Sequence, residues 1–585
     1  MTPQSTIGTL PPPASAKEAP RKVSGRRPSK RMDALLAHRW GRLLVPSLAD
    51  FLFMALIAWL FMSSGAHGWQ SLLADADVGW HIRTGEYILD HHQVPYHDLY
   101  SFSKPGAPWY AWEWLTDVFD GLLYRWAGLK GIVLAAGALI ALFATTLMRR
   151  IVDAGAHLFV ALLVTLFSVG SASMHFLARP HIFTLLLLSI SMGIIEADRR
   201  GANPARIWCL VPIALVWTNL HGGFLVLIGL LSLGAIGATA EAWLRRPQGG
   251  RPDWAPGLRW AKLAAAGGAV SFINPYGWEL HRHVIEYLRS DWIRKVVQEF
   301  QSPTFRDENM LQFEALLFIG LITAGARLRR GQVIDGLWIL CLGYMSLSSV
   351  RHVPIFVTVA GPIIAVEMTD WWKAWVGDSS AKSALGILNQ MGRDIVPGFQ
   401  RFTIWMAVAV ALLASSGSAI AWPQDFPSVV FPTAMVHAHE QEILQARVLT
   451  TDQWADYLIY LHPEQKVFVD GRSDFYGPEI GDQFLQVMRG MPGWEKVIEK
   501  YHFNLALIPV DTAVAQLLKQ RREWRVEADD GKEILLVLRE KGSAVTQAAK
   551  GGIAGNQGST ERRGAPTKLM KTTDSTEVVK GSNKR

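Results

Sequence analysis

The feature that most limits what this chain can fold into is a rhythm of apolar runs separated by connections that are alternately rich and poor in arginine. The runs are residues 43–62, 131–148, 157–174, 182–195, 207–220, 224–240, 261–272, 310–326, 334–348, 353–366 and 404–421. In lipid a backbone must satisfy its own hydrogen bonds, so each run reads as a transmembrane helix. A straight span needs about 20 residues. The shorter runs therefore borrow from their flanks, or are helices broken near functional cavities. Basic residues cluster at 26–42, Arg149-Arg150, Arg199-Arg200, Arg245 to Arg251, Arg327 to Arg330 and 373–401. Eleven spans put every cluster on one side of the bilayer, which the positive-inside rule makes cytoplasmic. The N-terminus is then inside and everything after residue 421 is outside.

Composition supports lipid as part of the solvent. The chain has 585 residues and only 18% charged residues, against about 25% in soluble proteins. The net charge of +8 does not point to nucleic acid, because the Lys and Arg fall between apolar runs and in the tails. Cys209 and Cys341 lie inside apolar runs and imply no disulfide framework. Residues 1–42 read as a disordered basic cytoplasmic arm, with no apolar stretch early enough for a signal peptide. Residues 43–421 form the membrane domain, with a first outer loop at 63–130. Residues 424–540 read as a small extracytoplasmic α/β domain, with strands at 446–451, 466–470, 505–509 and 533–538 and helices at 480–488 and 493–501. The tail 541–585 reads as disordered.

On this map all but His38 and His157 of the 17 histidines lie outside or at outer helix ends. His175, His181, His221 and His352 sit in very short turns. In the first outer loop, Asp75, Asp77, Trp80 and His81 follow the first span. If this stretch is helical, Asp77 and His81 share a face. They then bind a divalent ion, pair a base with its orienting partner, or merely solvate an interfacial helix. Downstream, Trp109, Trp112, Glu113 and Trp114 either anchor the loop at the headgroups or line a carbohydrate or headgroup site. At outer helix ends stand Arg179-Pro180-His181, Asn219 to Gly223, Asn274 to Gly277, Glu299 and Arg351-His352. Arginine there binds phosphate in a bidentate manner, or snorkels. Asp50 is an intramembrane carboxylate or a boundary residue. The turn from Asp470 through Arg472 and Asp474 is a ligand site or a turn held by its own aspartates, the second being favoured. No Walker loop, GxSxG elbow, HExxH or CxxC is present, which removes support for nucleotide-driven transport and the common hydrolases.

The pattern Asp75-x-Asp77-x-x-Trp80-His81-x-x-x-Gly85-Glu86, Pro95-x-x-Asp98-x-x-Ser101-Phe102-Ser103 and Gly106-x-x-Trp109-x-x-x-Glu113-Trp114-Leu115 resembles a broad group of bacterial multi-span membrane proteins. So do Trp454-x-x-Tyr457-Leu458 and the stretch from Val467 to Gly477. That group is related to the GT-C glycosyltransferases, which include the oligosaccharyltransferases and protein O-mannosyltransferases. The likeness covers roughly residues 43–538. It departs at Gly79 and Trp112, where the group has Trp and His, and at Ala455-Asp456, where small glycines are usual. Trp112 removes a possible metal ligand.

The resemblance implies a GT-C-like fold and a sugar donor on a polyprenyl phosphate or diphosphate. It also implies an acidic first-loop residue acting as base or metal ligand, a role that falls on Asp75 or Asp77. His81 assists the base, and Asp77 with His81 would hold a divalent ion, Mg or Mn. Arg179, His181, His221, Arg351, His352, Trp109 and Glu113 are the expected substrate contacts. The expected partners are membrane lipid, the donor and an unidentified envelope acceptor, in the bacterial inner membrane. The rivals are a non-catalytic envelope scaffold and a lipid or polysaccharide translocase. A translocase needs polar groups through the membrane depth, whereas here they gather at the outer ends.

Overall fold

The structure is a computed structural model and describes residues 38–62, 65–202, 204–306, 309–377, 379–380, 382–399, 401–416 and 420–539. Most of the expected basic arm and the expected tail lie outside these residues.

Every apolar run contains a helix among the described residues. Seven helices among the described residues are long and apolar enough to cross a membrane: Trp40–Met62, Trp114–Asp153, Leu158–His175, His181–Arg199, Phe224–Leu244, Met310–Arg329 and Val350–Val376. Three apolar helices are shorter, Ala205–Leu220, Val333–Ser348 and Trp405–Ala414. The remaining run forms the 16-residue helix Ala255–Val270. Large apolar side chains such as Phe51, Leu166, Leu311, Phe318 and Tyr344 stay exposed on the helix surfaces, which fits contact with lipid.

One span departs from its expected length. The run at 131–148 belongs to a helix of 40 residues, Trp114–Asp153, with a kink at Gly128. At 1.5 Å per residue it reaches about 60 Å, twice the thickness of a hydrocarbon core of about 30 Å. Its first half carries Asp117 and Asp120, and that polarity hid it from an apolar-run reading. In the first loop the expected helix runs over Asp77–His91.

The C-terminal region builds a mixed four-stranded sheet from β1 (Val448–Leu449), β2 (Leu505–Pro509), β3 (Trp524–Asp529) and β4 (Glu533–Leu538). The order is β1-β2-β4-β3, with β1 parallel to β2 and the other neighbours antiparallel. The segment 466–470 is not a strand of this sheet. It makes one bridge, from Val467 to Ser101 of the first loop. Its apolar residues are buried against that loop rather than by a ladder.

The C-terminal region is fastened to the first loop. The Arg83 guanidinium donates to the Tyr460 carbonyl (2.6 Å), and Gln453 accepts the Ala76 amide (3.0 Å). Arg472, 3% exposed, pairs with Asp470 (2.6 Å) and with Asp98 (2.9 Å), and Tyr476 donates to Asp470 (2.7 Å). The turn after Asp470 is thus a structural knot. Asp50 is equally occupied: it accepts from the Ser47 amide (2.6 Å) and the Thr403 hydroxyl (2.8 Å) at the head of the helix Leu48–Met62.

Candidate functional site

Three helix beginnings converge at one end of the bundle: Asp77–His91, Trp114–Asp153 and His181–Arg199. The first turn of a helix has unpaired amides and a positive dipole end, so carboxylates settle there. Asp75 accepts the Asp77 amide through Oδ1 (2.9 Å). Its Oδ2 lies 2.7 Å from Arg179 Nη1, and Asp77 Oδ2 lies 2.6 Å from Arg179 Nη2. Glu299 Oε1 approaches the same guanidinium at 3.2 Å. The turn that carries Arg179 is pinned here because the Ala178 amide donates to the Leu72 carbonyl (2.8 Å).

One helical turn beyond Asp77 stands His81, 1% exposed. Its Nδ1 is 2.6 Å from Asp117 Oδ1, and its Nε2 is 3.6 Å from Glu113 Oε2. The second separation exceeds a hydrogen bond and leaves a gap that one proton transfer or a small closure would bridge. This pairing depends on a backbone crossing at two glycines. A Cβ on Gly85 would stand 1.8 Å from the Asp117 carbonyl oxygen, and one on Gly121 would stand 2.8 Å from the Gly85 carbonyl carbon. Gly85 follows His81 by one turn, as Gly121 follows Asp117. The close approach and the His81–Asp117 bond therefore lie on the same faces.

Glu113 has a second histidine. His221 Nε2 lies 3.4 Å from Glu113 Oε1. His221 Nδ1 accepts the Gly223 amide (3.0 Å) and is 2.8 Å from the Thr184 hydroxyl. The Thr184 oxygen in turn accepts from Trp217 Nε1 (2.9 Å). With Nδ1 engaged as an acceptor, the neutral ring carries its proton on Nε2 and points it at Glu113. The side chains form a row, Asp117, His81, Glu113, His221 and Thr184, hydrogen-bonded at both ends and open by 3.6 and 3.4 Å on the two sides of Glu113. Its partly accessible members are Glu113 and His221, with side chains 17% and 14% accessible.

Burial sets the electrostatics. It pushes the Glu113 carboxyl up to about 8, against the opposing pull of Arg179. It pushes Asp77 up to about 7, again against Arg179, with Asp75 adding to the rise. Burial brings His221 down to about 3, helped by Arg351 and Arg179, so its ring is neutral at pH 7. Burial, then Arg179, lowers His81 well below its ordinary value. Burial alone would raise Glu299, yet Arg179 and its cationic neighbours hold it at about 2. One site thus contains a fixed carboxylate, Glu299, and two carboxyls, Asp77 and Glu113, poised to exchange a proton near neutrality, the pattern that marks reactive centres.

The remaining expected residues divide. The Arg351 guanidinium lies 4.4 Å from the Phe300 ring, and its Nη1 is buried with no hydrogen-bond partner among the described residues. Its charge acts on Glu113, Glu299 and His221. His181 is turned to the His175 carbonyl (2.6 Å). His352 Nδ1 is buried without a partner among the described residues. Trp109 is neither an anchor at the headgroups nor a free stacking face. It is 4% exposed, beneath Arg472 (4.5 Å) and beside Trp80 (6.1 Å). Asp117 and Thr184 were not singled out by sequence, and Asp456 only as a departure from the group's pattern. Asp456 accepts the Gly471 amide through both oxygens (3.1 Å each). It shares that crowded corner with Asp77: a Cβ on Gly471 would meet Asp77 Oδ1 at 2.1 Å and Asp456 Oδ2 at 2.9 Å.

The residues present do not fit the divalent ion that the resemblance implies. Asp77 Oδ2 is taken by Arg179 and His81 Nδ1 by Asp117. Among the described residues no group of three or more His, Cys, Asp or Glu is arranged to hold a metal.

No protein-family model matches the chain. No curated protein matches it. Solved structures do. Archaeal oligosaccharyltransferase AglB from Archaeoglobus fulgidus, in complex with an inhibitory peptide and a dolichol-phosphate, superposes on 79% of this chain and 69% of its own, with a TM-score of 0.51 and 11% sequence identity. A second A. fulgidus oligosaccharyltransferase structure, tethered to an acceptor peptide by a disulfide, covers the same shares at a TM-score of 0.49 and 12% identity. At this identity the first likeness shows a common fold: a helical membrane bundle of oligosaccharyltransferase type followed by a smaller C-terminal region.

Proposed function

We propose that the chain is a membrane glycosyltransferase. It moves a sugar from a polyprenyl-phosphate-linked donor to an envelope acceptor, on the extracytoplasmic face of the bacterial inner membrane. In this reading eleven spans within residues 43–421 place the N-terminus in the cytoplasm, and residues 424–540 form an outer domain. The distribution of arginine supports the orientation. The dolichol-phosphate held by the AglB complex supports a lipid phosphate as leaving group.

The observation that carries the reading is Glu113, a partly accessible carboxyl raised to about 8 between His81 and His221, with Arg351 close enough to bias it. Glu113 takes the proton of the acceptor's attacking O–H or N–H. The acceptor atom bonds to the anomeric carbon as the bond from that carbon to the phosphate oxygen breaks. The phosphate leaves with the electron pair, and the unpartnered Nη1 of Arg351 neutralises it. Asp117 and His81 back Glu113 from behind, and His221 Nε2 faces its other oxygen at 3.4 Å. Asp75 and Asp77, the bases implied by resemblance, hold Arg179 instead. Asp77, though raised to about 7, is committed through Oδ2 to that guanidinium.

The test is the glycan content of the cell envelope. Glu113→Gln is expected to abolish one glycan at an unchanged level of folded protein, a loss of about 10²- to 10⁴-fold in rate. Unchanged glycans in Glu113→Gln, Asp75→Asn and Asp77→Asn alike would defeat the enzymatic reading.

A further inference from the structure

Arg179 fills the place at the head of the helix Asp77–His91 where a cation would sit. Its two terminal nitrogens lie 2.7 and 2.6 Å from one oxygen each of Asp75 and Asp77, and the first also reaches Glu299 at 3.2 Å. Three carboxylates from two separate segments therefore converge on one guanidinium. A magnesium ion needs oxygens at about 2.0–2.1 Å in near-octahedral array, and the Arg179 nitrogens occupy that volume. A planar fork also fixes both aspartates at once, as a mobile ammonium does not.

We propose that Arg179 is a resident organic cation in place of a divalent ion, so that wild-type protein excludes the metal and loss of the guanidinium lets Asp75, Asp77 and Glu299, which as they stand are not arranged to hold a metal, close on one. The consequence for the reaction, transfer insensitive to chelators, rests on the transferase reading. The exclusion of metal does not. Occupation by Arg179 leaves the positive charge permanently in place, so the site needs no metal supply and adds no competitor for the lipid phosphate.

The experiment titrates MnCl2 into purified full-length protein in lipid nanodiscs and follows the free Mn2+ signal by electron paramagnetic resonance. Wild-type protein and Arg179→Lys are expected to bind no Mn2+ at this site. Arg179→Met is expected to bind one Mn2+ per chain, at least tenfold tighter than wild type, and to lose it again when Asp75→Asn and Asp77→Asn are added. Mn2+ bound by wild type and abolished by Asp75→Asn with Asp77→Asn overturns the proposal. So does a folded Arg179→Met that binds none. If Arg179→Met does not fold, wild type and Arg179→Lys still decide: Mn2+ bound by either at these aspartates refutes it, and exclusion by both supports it. A chain that excludes Mn2+ but transfers no sugar would end the functional reading and leave this one standing.

Discussion

The two ends of the helical bundle use the same charged residues in opposite ways. At the end that carries Arg150, Glu196, Arg330 and Glu367, the carboxylates are matched to arginines: Arg150 with Glu196 (2.6 Å), Arg199 with Asp335 (2.6 Å), Arg259 with Asp198 (2.6 Å) and Arg330 with Glu367 (2.8 Å). These are closed pairs, and they fasten neighbouring helices. At the other end Asp117 Oδ2, Asp77 Oδ1, Arg179 Nε and Arg351 Nη1 are buried without partners among the described residues, and Glu113 stands between two histidines rather than against an arginine. Leaving a buried polar atom unpaired costs about 1–3 kcal/mol. A fold tolerates that where the groups have work to do. Unpartnered atoms occur at the paired end as well, at Arg327 Nη2 and His157 Nδ1, so what sets the site apart is Glu113, a carboxyl held between two histidines.

The largest effect expected from this contrast is at the paired end. Arg150→Met leaves the half-buried Glu196 without its cation and is expected to cost about 3 kcal/mol, read as thermal unfolding in detergent. Transfer per folded molecule should not change. A variant that keeps its stability but loses turnover would erase the distinction between the ends. Next comes the crossing that builds the site. Gly85→Ala forces a methyl onto the Asp117 carbonyl and is expected to cost about 1–3 kcal/mol. Because it shifts His81 against Asp117, turnover should fall by about 10²-fold, whereas glycine-to-alanine changes at the paired end should affect stability alone.

A third effect is a slope. The Glu113 carboxyl has an ordinary value of 4.5 and rises to about 8 in the fold, and Asp77 rises from 3.8 to about 7. Between those limits the folded chain keeps protons that the unfolded chain has released, so stability falls as pH rises. Glu299, lowered from 4.5 to about 2, has the opposite sign and loses its contribution only as pH falls below 4.5. Chemical unfolding from pH 5 to 9 should show the decline, and Glu113→Gln should flatten its upper part.

Much of this was legible before any coordinates. The apolar runs and the arginine clusters gave the helices, because lipid leaves a chain few alternatives. Asp75, Asp77, His81, Arg179, His221 and Glu113 were visible as polar groups at helix ends. Asp117 was not, since it lies inside a long helix whose polar first half was read as loop. Its one signal was Gly121, four residues on, repeating the spacing of His81 to Gly85. Trp109 looked like a surface anchor because aromatic residues in a loop usually are, but the Arg472 knot takes it into the core. The segment 466–470 had the alternation of a strand, and its partner proved to be Ser101 from a distant loop. Local pattern does not reveal such pairings.

The account stands most directly on the ionisation of Glu113. Single-turnover transfer from a polyprenyl-phosphate sugar should be followed in proteoliposomes across pH 6 to 9. The wild-type rate should rise with pH, passing its midpoint near 8, and the Glu113→Gln rate should be lower and flat. A wild-type profile without that rise, or a glutamine variant that matches wild type at every pH, would contradict it.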